Sequence, residues 1–134
     1  MKAINAYLTF DGNCLDAMKF YQRCLGGDLQ LTPFSDAPGN HPKGAKDRII
    51  HARLTQGGAV LMASGSISGM PLQRGGNFSV AVQYETGTEL EKLFNTVGEK
   101  GKVVLPLQDT FWGGHFGMLT DQFGINWMFN LQKE

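Results

Sequence analysis

The sequence predicts an α+β fold in which two βαβββ modules supply eight strands around a partly open, barrel-like cleft. Three observations carry this expectation. Two amphipathic helical segments of similar length stand far apart in the chain, each follows a strand of alternating polarity, and landmark residues recur at a nearly constant offset.

Each element can be justified in order. In INAYLTF (Ile4–Phe10), Ala6, Leu8 and Phe10 alternate with Asn5, Tyr7 and Thr9. Such a pattern suits a strand with one face on a helix and one face free. Asn13 is the expected cap of a first helix, with Ala17, Phe20, Tyr21 and Cys24 on one face and Gly26-Gly27 at its end. RIIHARLT turns Ile50, Ala52 and Leu54 to the core and His51, Arg53 and Thr55 to the other face. A glycine turn and the apolar strand GGAVLMAS follow.

The second module repeats this order. NFSVAVQY (Asn77–Tyr84) places Phe78, Val80, Val82 and Tyr84 opposite Asn77, Ser79, Ala81 and Gln83. Thr88 and Glu91 form a capping box ahead of Leu90, Leu93, Phe94 and Val97, and Gly98 and Gly101 close the helix. Phe20 and Gly27 match Phe94 and Gly101 at an offset of 74, while Gly58 and Met62 match Gly124 and Met128 at an offset of 66. Module one spans about residues 1–64, a linker 65–76, and module two 77–134, together making a single domain. The two free sheet faces would meet around a shared cleft, the usual place for a small ligand. Pairing within one chain and exchange across a dimer both remain open.

The 134 residues carry twelve basic and twelve acidic side chains, 42% hydrophobic and 18% charged residues. Without a basic cluster, no grip on nucleic acid or an anionic membrane is expected. No apolar run approaches the roughly 20 residues needed to cross a bilayer, and no signal peptide is read at the N-terminus. Cys14 and Cys24 fall on one helix, about 15 Å apart at 1.5 Å per residue, too far for a disulfide. Free thiols suit the cytoplasm. A nucleophilic Cys14 near a helix start competes with a buried structural one.

YLTFDGNCLDAMKFYQRCLGG, followed by HARL, GGAVLMAS and DTFWGGHFGMLTDQFGINWMF, resembles the PhnB-like branch of the glyoxalase/bleomycin-resistance/extradiol-dioxygenase superfamily, also called the vicinal oxygen chelate superfamily. The resemblance covers Tyr7 to Phe129 and implies paired βαβββ modules and a homodimer. It also implies a divalent metal held by four His, Gln or Glu side chains, from the first and last strand of each module. Carried onto this chain, those positions are Tyr7 (or Asn5), Met62, Ser79 (or Asn77) and Met128. Thioethers are soft donors unsuited to the ions of this chemistry. No metal or other cofactor is therefore expected.

The function expected is small-molecule binding in a metal-free cleft, with turnover left open. The alternative is a metal-dependent lyase or isomerase with a relocated site built on His51 and His115, although that pair lacks an obvious third ligand. His41 reads as a loop residue in PGNHPKG, and Thr32–Asp47 as a loop able to serve as a lid. Candidate ligand contacts are Tyr7, His51, Arg53, Met62, Ser79, Trp112, His115 and Met128. His51 and Arg53 emerge side by side and suit a carboxylate, phosphate or phosphonate. Arg53 pairing with Asp47 or Asp121 is the competing reading. In DTFWGGHFG (Asp109–Gly117), Trp112 walls the pocket with Phe111, or packs at a dimer interface or onto the neighbouring strand. Trp127 and Phe129 belong to the core.

Overall fold

In the computed structural model, residues 1–33, 49–65, 72–111 and 113–131 are described. His41, Asp47, Trp112 and most of the expected lid lie outside them. The chain forms two compact units, Met1–Arg74 and Gly75–Glu134. Each has a four-stranded sheet and one helix.

Unit 1 contains β1 (Ala6–Phe10), α1 (Cys14–Leu25), β2 (Asp28–Pro33), β3 (Ile49–Gln56) and β4 (Ala59–Gly65), with strand order β1-β4-β3-β2. Unit 2 contains β5 (Val80–Gln83), α2 (Gly87–Val97), β6 (Lys102–Asp109), β7 (His115–Thr120) and β8 (Asn126–Leu131), with order β5-β8-β7-β6. In both units the first strand runs parallel to the last, and the remaining pairs are antiparallel. The expected βαβββ repeat is thus the architecture of each unit.

Apolar periodicity explains the helices. α1 buries Cys14, Ala17, Met18, Phe20 and Tyr21, and α2 buries Leu90, Leu93, Phe94 and Val97. The sheet beneath α2 contributes Leu119, Trp127, Phe129 and Leu131. Burying each large side chain is worth about 1.5–3 kcal/mol. Trp127 stacks on Phe129, which meets Phe94 edge to face, so both belong to the core as the alternation predicts.

The duplication also leaves a mark in close packing. A Cβ on Gly27 would strike the Thr55 carbonyl oxygen, and one on Gly101 would strike that of Thr120. The 74-residue offset therefore reflects a shared constraint: after each helix, the chain passes too close to strand backbone for any side chain. A glutamine in each β-hairpin turn then ties the turn to its helix end. Gln56 Nε2 donates to the Leu25 carbonyl at 3.1 Å, and Gln122 Nε2 to that of Glu99 at 3.5 Å.

Several local expectations are corrected. The α2 cap is Thr86, whose hydroxyl accepts from Glu89 N at 3.3 Å, so Thr88 and Glu91 lie inside the helix. Two overlapping T-x-x-E frames occur, and the extended backbone at Thr86 (φ −121°, ψ 143°) selects the earlier one. Asn13 precedes α1 but makes no side-chain cap bond. Phe78 is 75% exposed because β5 begins only at Val80. A register shift between Thr32 and Pro33 opposite β3 buries Ile49 and leaves Ile50 half-buried.

Candidate functional site

The open face of unit 1, away from α1, is built by pairing register. Tyr7 lies beside Met62, Met62 beside Arg53, and Arg53 beside Gln30. One step along, Thr9 lies beside Ser64, and His51 beside Thr32. The Tyr7 hydroxyl is 3.2 Å from His51 Nδ1, with ring centroids 5.9 Å apart. A donor–acceptor pair thus spans β4, which lies between the strands that carry it. Residues 44 apart in sequence meet here, with no local pattern to announce the contact.

Tyr7 and Arg53 are exposed, and Met62 and His51 half-buried. Among the described residues Arg53 has no ion-pair partner. Asp121 in unit 2 is committed to its own turn: its carboxylate accepts from Phe123 N at 2.8 Å, Ile125 N at 3.0 Å and Trp127 Nε1 at 2.9 Å. At 4% exposure Asp121 is the buried acid among the described residues of its unit. Sequence reasoning missed this role, although the D-x-F-G-x-x-W spacing carried the signal. One carboxylate caps a turn and fixes an indole six residues later.

The open face of unit 2 is different chemically. Ala81 lies beside Met128, Met128 beside Met118, and Met118 beside Leu105. Gln83, Asn130 and Phe116 form the next row. By register, then, Ala81 occupies the place that Tyr7 holds in unit 1. Ser79 sits exposed just before β5, outside the ladder. The Asn130 side-chain oxygen is buried and lacks a hydrogen-bond partner among the described residues, which leaves an unused acceptor on this face.

His115 does not share that face. It pairs with Leu131 across β7 and β8, placing it on the helix side, where its Nδ1 is 2.8 Å from Asp109 Oδ1. The tip of this hairpin is organised by Thr110, whose hydroxyl accepts from Gly114 N at 2.9 Å. Gly113 takes a positive φ of 87° there. Phe111 is 98% exposed beside it.

The positions that would hold a superfamily metal do not fit one. Tyr7, Met62, Ala81 and Met128 offer a phenol, two thioethers and a methyl group, whereas hard divalent ions favour oxygen ligands and borderline ones favour imidazole. Among the described residues, no three His, Cys, Asp or Glu side chains converge as a metal-binding group. Cys14 is no nucleophile near neutral pH, because burial pushes its thiol up to about 11. Burial, with the Glu89 carboxylate adding to it, also raises the Tyr84 phenol.

Comparison with known proteins adds the family. Residues 3–129 match the profile of the Glyoxalase/Bleomycin resistance protein/Dioxygenase superfamily. The chain belongs to that superfamily. Within it, the chain is 31% identical to Protein YjdN of Escherichia coli K12, over 98% of this chain and 96% of that one. The crystal structure of PA1353 from Pseudomonas aeruginosa is 41% identical, with a TM-score of 0.91 and full coverage of both chains. A PhnB protein from Bacillus cereus is 25% identical, with a TM-score of 0.76, covering 97% of this chain and 99% of that one. The superfamily fold and its PhnB-like neighbours agree with the resemblance in the sequence. No helix among the described residues is long and apolar enough to cross a membrane.

Proposed function

We propose that the protein is a cytoplasmic homodimer whose two units together make one domain, and that it binds a small organic anion without a metal ion. The observation that carries the reading is the open face of unit 1. Arg53, with no ion-pair partner among the described residues, a Tyr7–His51 hydrogen bond and Met62 lie together there, in place of metal ligands. A guanidinium fork and an imidazole on one face suit a carboxylate, phosphate or phosphonate. Cys14 and Cys24, present as thiols and not as a disulfide, support the compartment. Exposed Val103, Val104 and Phe111 on one hairpin support the dimer.

Calorimetric titration with phenylphosphonate and benzoate tests the ligand class. Saturable binding is expected, weakened by about tenfold or more in Arg53→Ala, since a charge-assisted hydrogen bond is worth about 1.5–3 kcal/mol. Binding that is indifferent to Arg53 refutes the assignment. Elemental analysis of protein purified without chelator is expected to give less than one bound transition metal per chain, and a stoichiometric ion refutes the metal-free reading.

A further inference from the structure

Unit 2 carries a groove on the helix side of its sheet, which the open-face reading does not use. The two units provide an internal comparison. α1 packs across β2, β3 and β4, whereas α2 lies chiefly on β8. Between α2 and β6 the structure leaves a groove of about 710 Å³, within the roughly 300–1,000 Å³ typical of small-molecule sites.

Its floor is tight and apolar. A Cβ on Gly117 would approach the Phe94 ring to 2.9 Å and the Leu107 side chain to 3.0 Å, so these groups close over bare backbone. The rim is polar, with Glu91 from α2 and Asp109 and His115 from the hairpin. The 2.8 Å contact between Nδ1 and Asp109 fixes the His115 ring. When Nδ1–H donates to that carboxylate, the neutral ring offers its Nε2 lone pair as an acceptor.

Charge decides what this arrangement favours. No lysine or arginine lines the groove among the described residues. The α2 N-terminus contributes a partial positive charge, on the order of half an elementary charge. Thr86 already accepts one of its N–H groups, and Glu89 stands in the first turn. Two full carboxylates on the rim outweigh that remainder.

We propose that this groove binds a small organic ammonium ion. Its apolar body lies over Phe94 and Leu107, and its N–H groups reach Glu91, Asp109 and His115 Nε2. The proposal is independent of the anion-binding reading, since it concerns the sheet of the other unit and a ligand of opposite sign.

Titration with benzylamine, using benzoate as the control of reversed charge, tests it. Saturable benzylamine binding is expected, about threefold weaker in each of Glu91→Gln and Asp109→Asn and about tenfold weaker in the double variant, as for surface charge contacts. Both carboxylates are exposed, and melting curves verify that the variants stay folded. The backbone amide signals of Leu107 and Gly117 are expected to shift with benzylamine and not with benzoate. Arg53→Ala is expected to leave benzylamine affinity unchanged, which separates this groove from the open face of unit 1. Absence of saturable binding, persistence of full affinity in the double variant, or amide shifts confined to other strands overturns the proposal.

Discussion

Replacing Asp121 by alanine should destabilise unit 2 far more than loss of an ordinary turn residue. The carboxylate accepts three hydrogen bonds, at 2.8, 3.0 and 2.9 Å. The third comes from Trp127, whose side chain is 1% exposed, so its N–H would be left in the core without a partner. An unsatisfied buried donor costs about 1–3 kcal/mol, and each turn N–H, which water can reach after substitution, adds roughly 0.5–1.5 kcal/mol. Relief from burying the carboxylate offsets part of this, leaving about 3–4 kcal/mol. For 134 residues, an unfolding entropy of about 2.1 cal/mol/K per residue converts that to a drop in Tm of roughly 10–15 °C. Scanning calorimetry reads it directly. Asp121→Asn, which keeps one acceptor oxygen, should fall about midway. In a cycle with Trp127→Phe, the double variant should cost clearly less than the two single costs combined. A Tm loss under about 3 °C for Asp121→Ala, or strict additivity in the cycle, refutes the reasoning.

Further outcomes follow from the same contacts. Gly101→Ala puts a methyl group against the Thr120 carbonyl, and Gly27→Ala does the same at Thr55 with φ already at +95°. Each should lower stability by about 1–3 kcal/mol in denaturant titration, with Gly27 the worse of the two. Half-buried Cys24 should react with a maleimide well before buried Cys14, as read by mass spectrometry of the labelled peptides. The folded Cys14 thiol lies near 11, above its unfolded value near 9, so its contribution to stability is intact below about pH 9 and lost as pH rises toward 11. Cys14→Ala should flatten that alkaline decline in urea titrations at stepped pH.

Much of this was legible in the sequence, for physical reasons that differ by element. Both helices and the burial of Trp127 and Phe129 follow from periods of 3.6 and 2, which the chain obeys because each element has one dry side. Met62 and Met128 fall on the opposite face by the same alternation. Frame was harder. Thr86-x-x-Glu89 and Thr88-x-x-Glu91 are chemically alike, and only backbone geometry separates them. Ser79 looked equivalent to Tyr7 until the ladder showed β5 starting one residue later, with Ala81 beside Met128. The Tyr7–His51 contact and the helix-side position of His115 depend on strand order and pairing register, which a linear pattern does not encode. Asp121 was hidden for another reason: an acid in a turn ordinarily faces water, and here a neighbouring indole draws it inward.

The two copies of this fold have drifted apart on one surface while keeping their frameworks. Gln30, Arg53 and Tyr7 on one sheet correspond by register to Leu105, Met118 and Ala81 on the other. None of these six packs under a helix, so exchanging them alters the chemistry of each open face without disturbing what holds the sheet together. A framework used twice thus lets selection, or an engineer, retune a polar face and a greasy one separately.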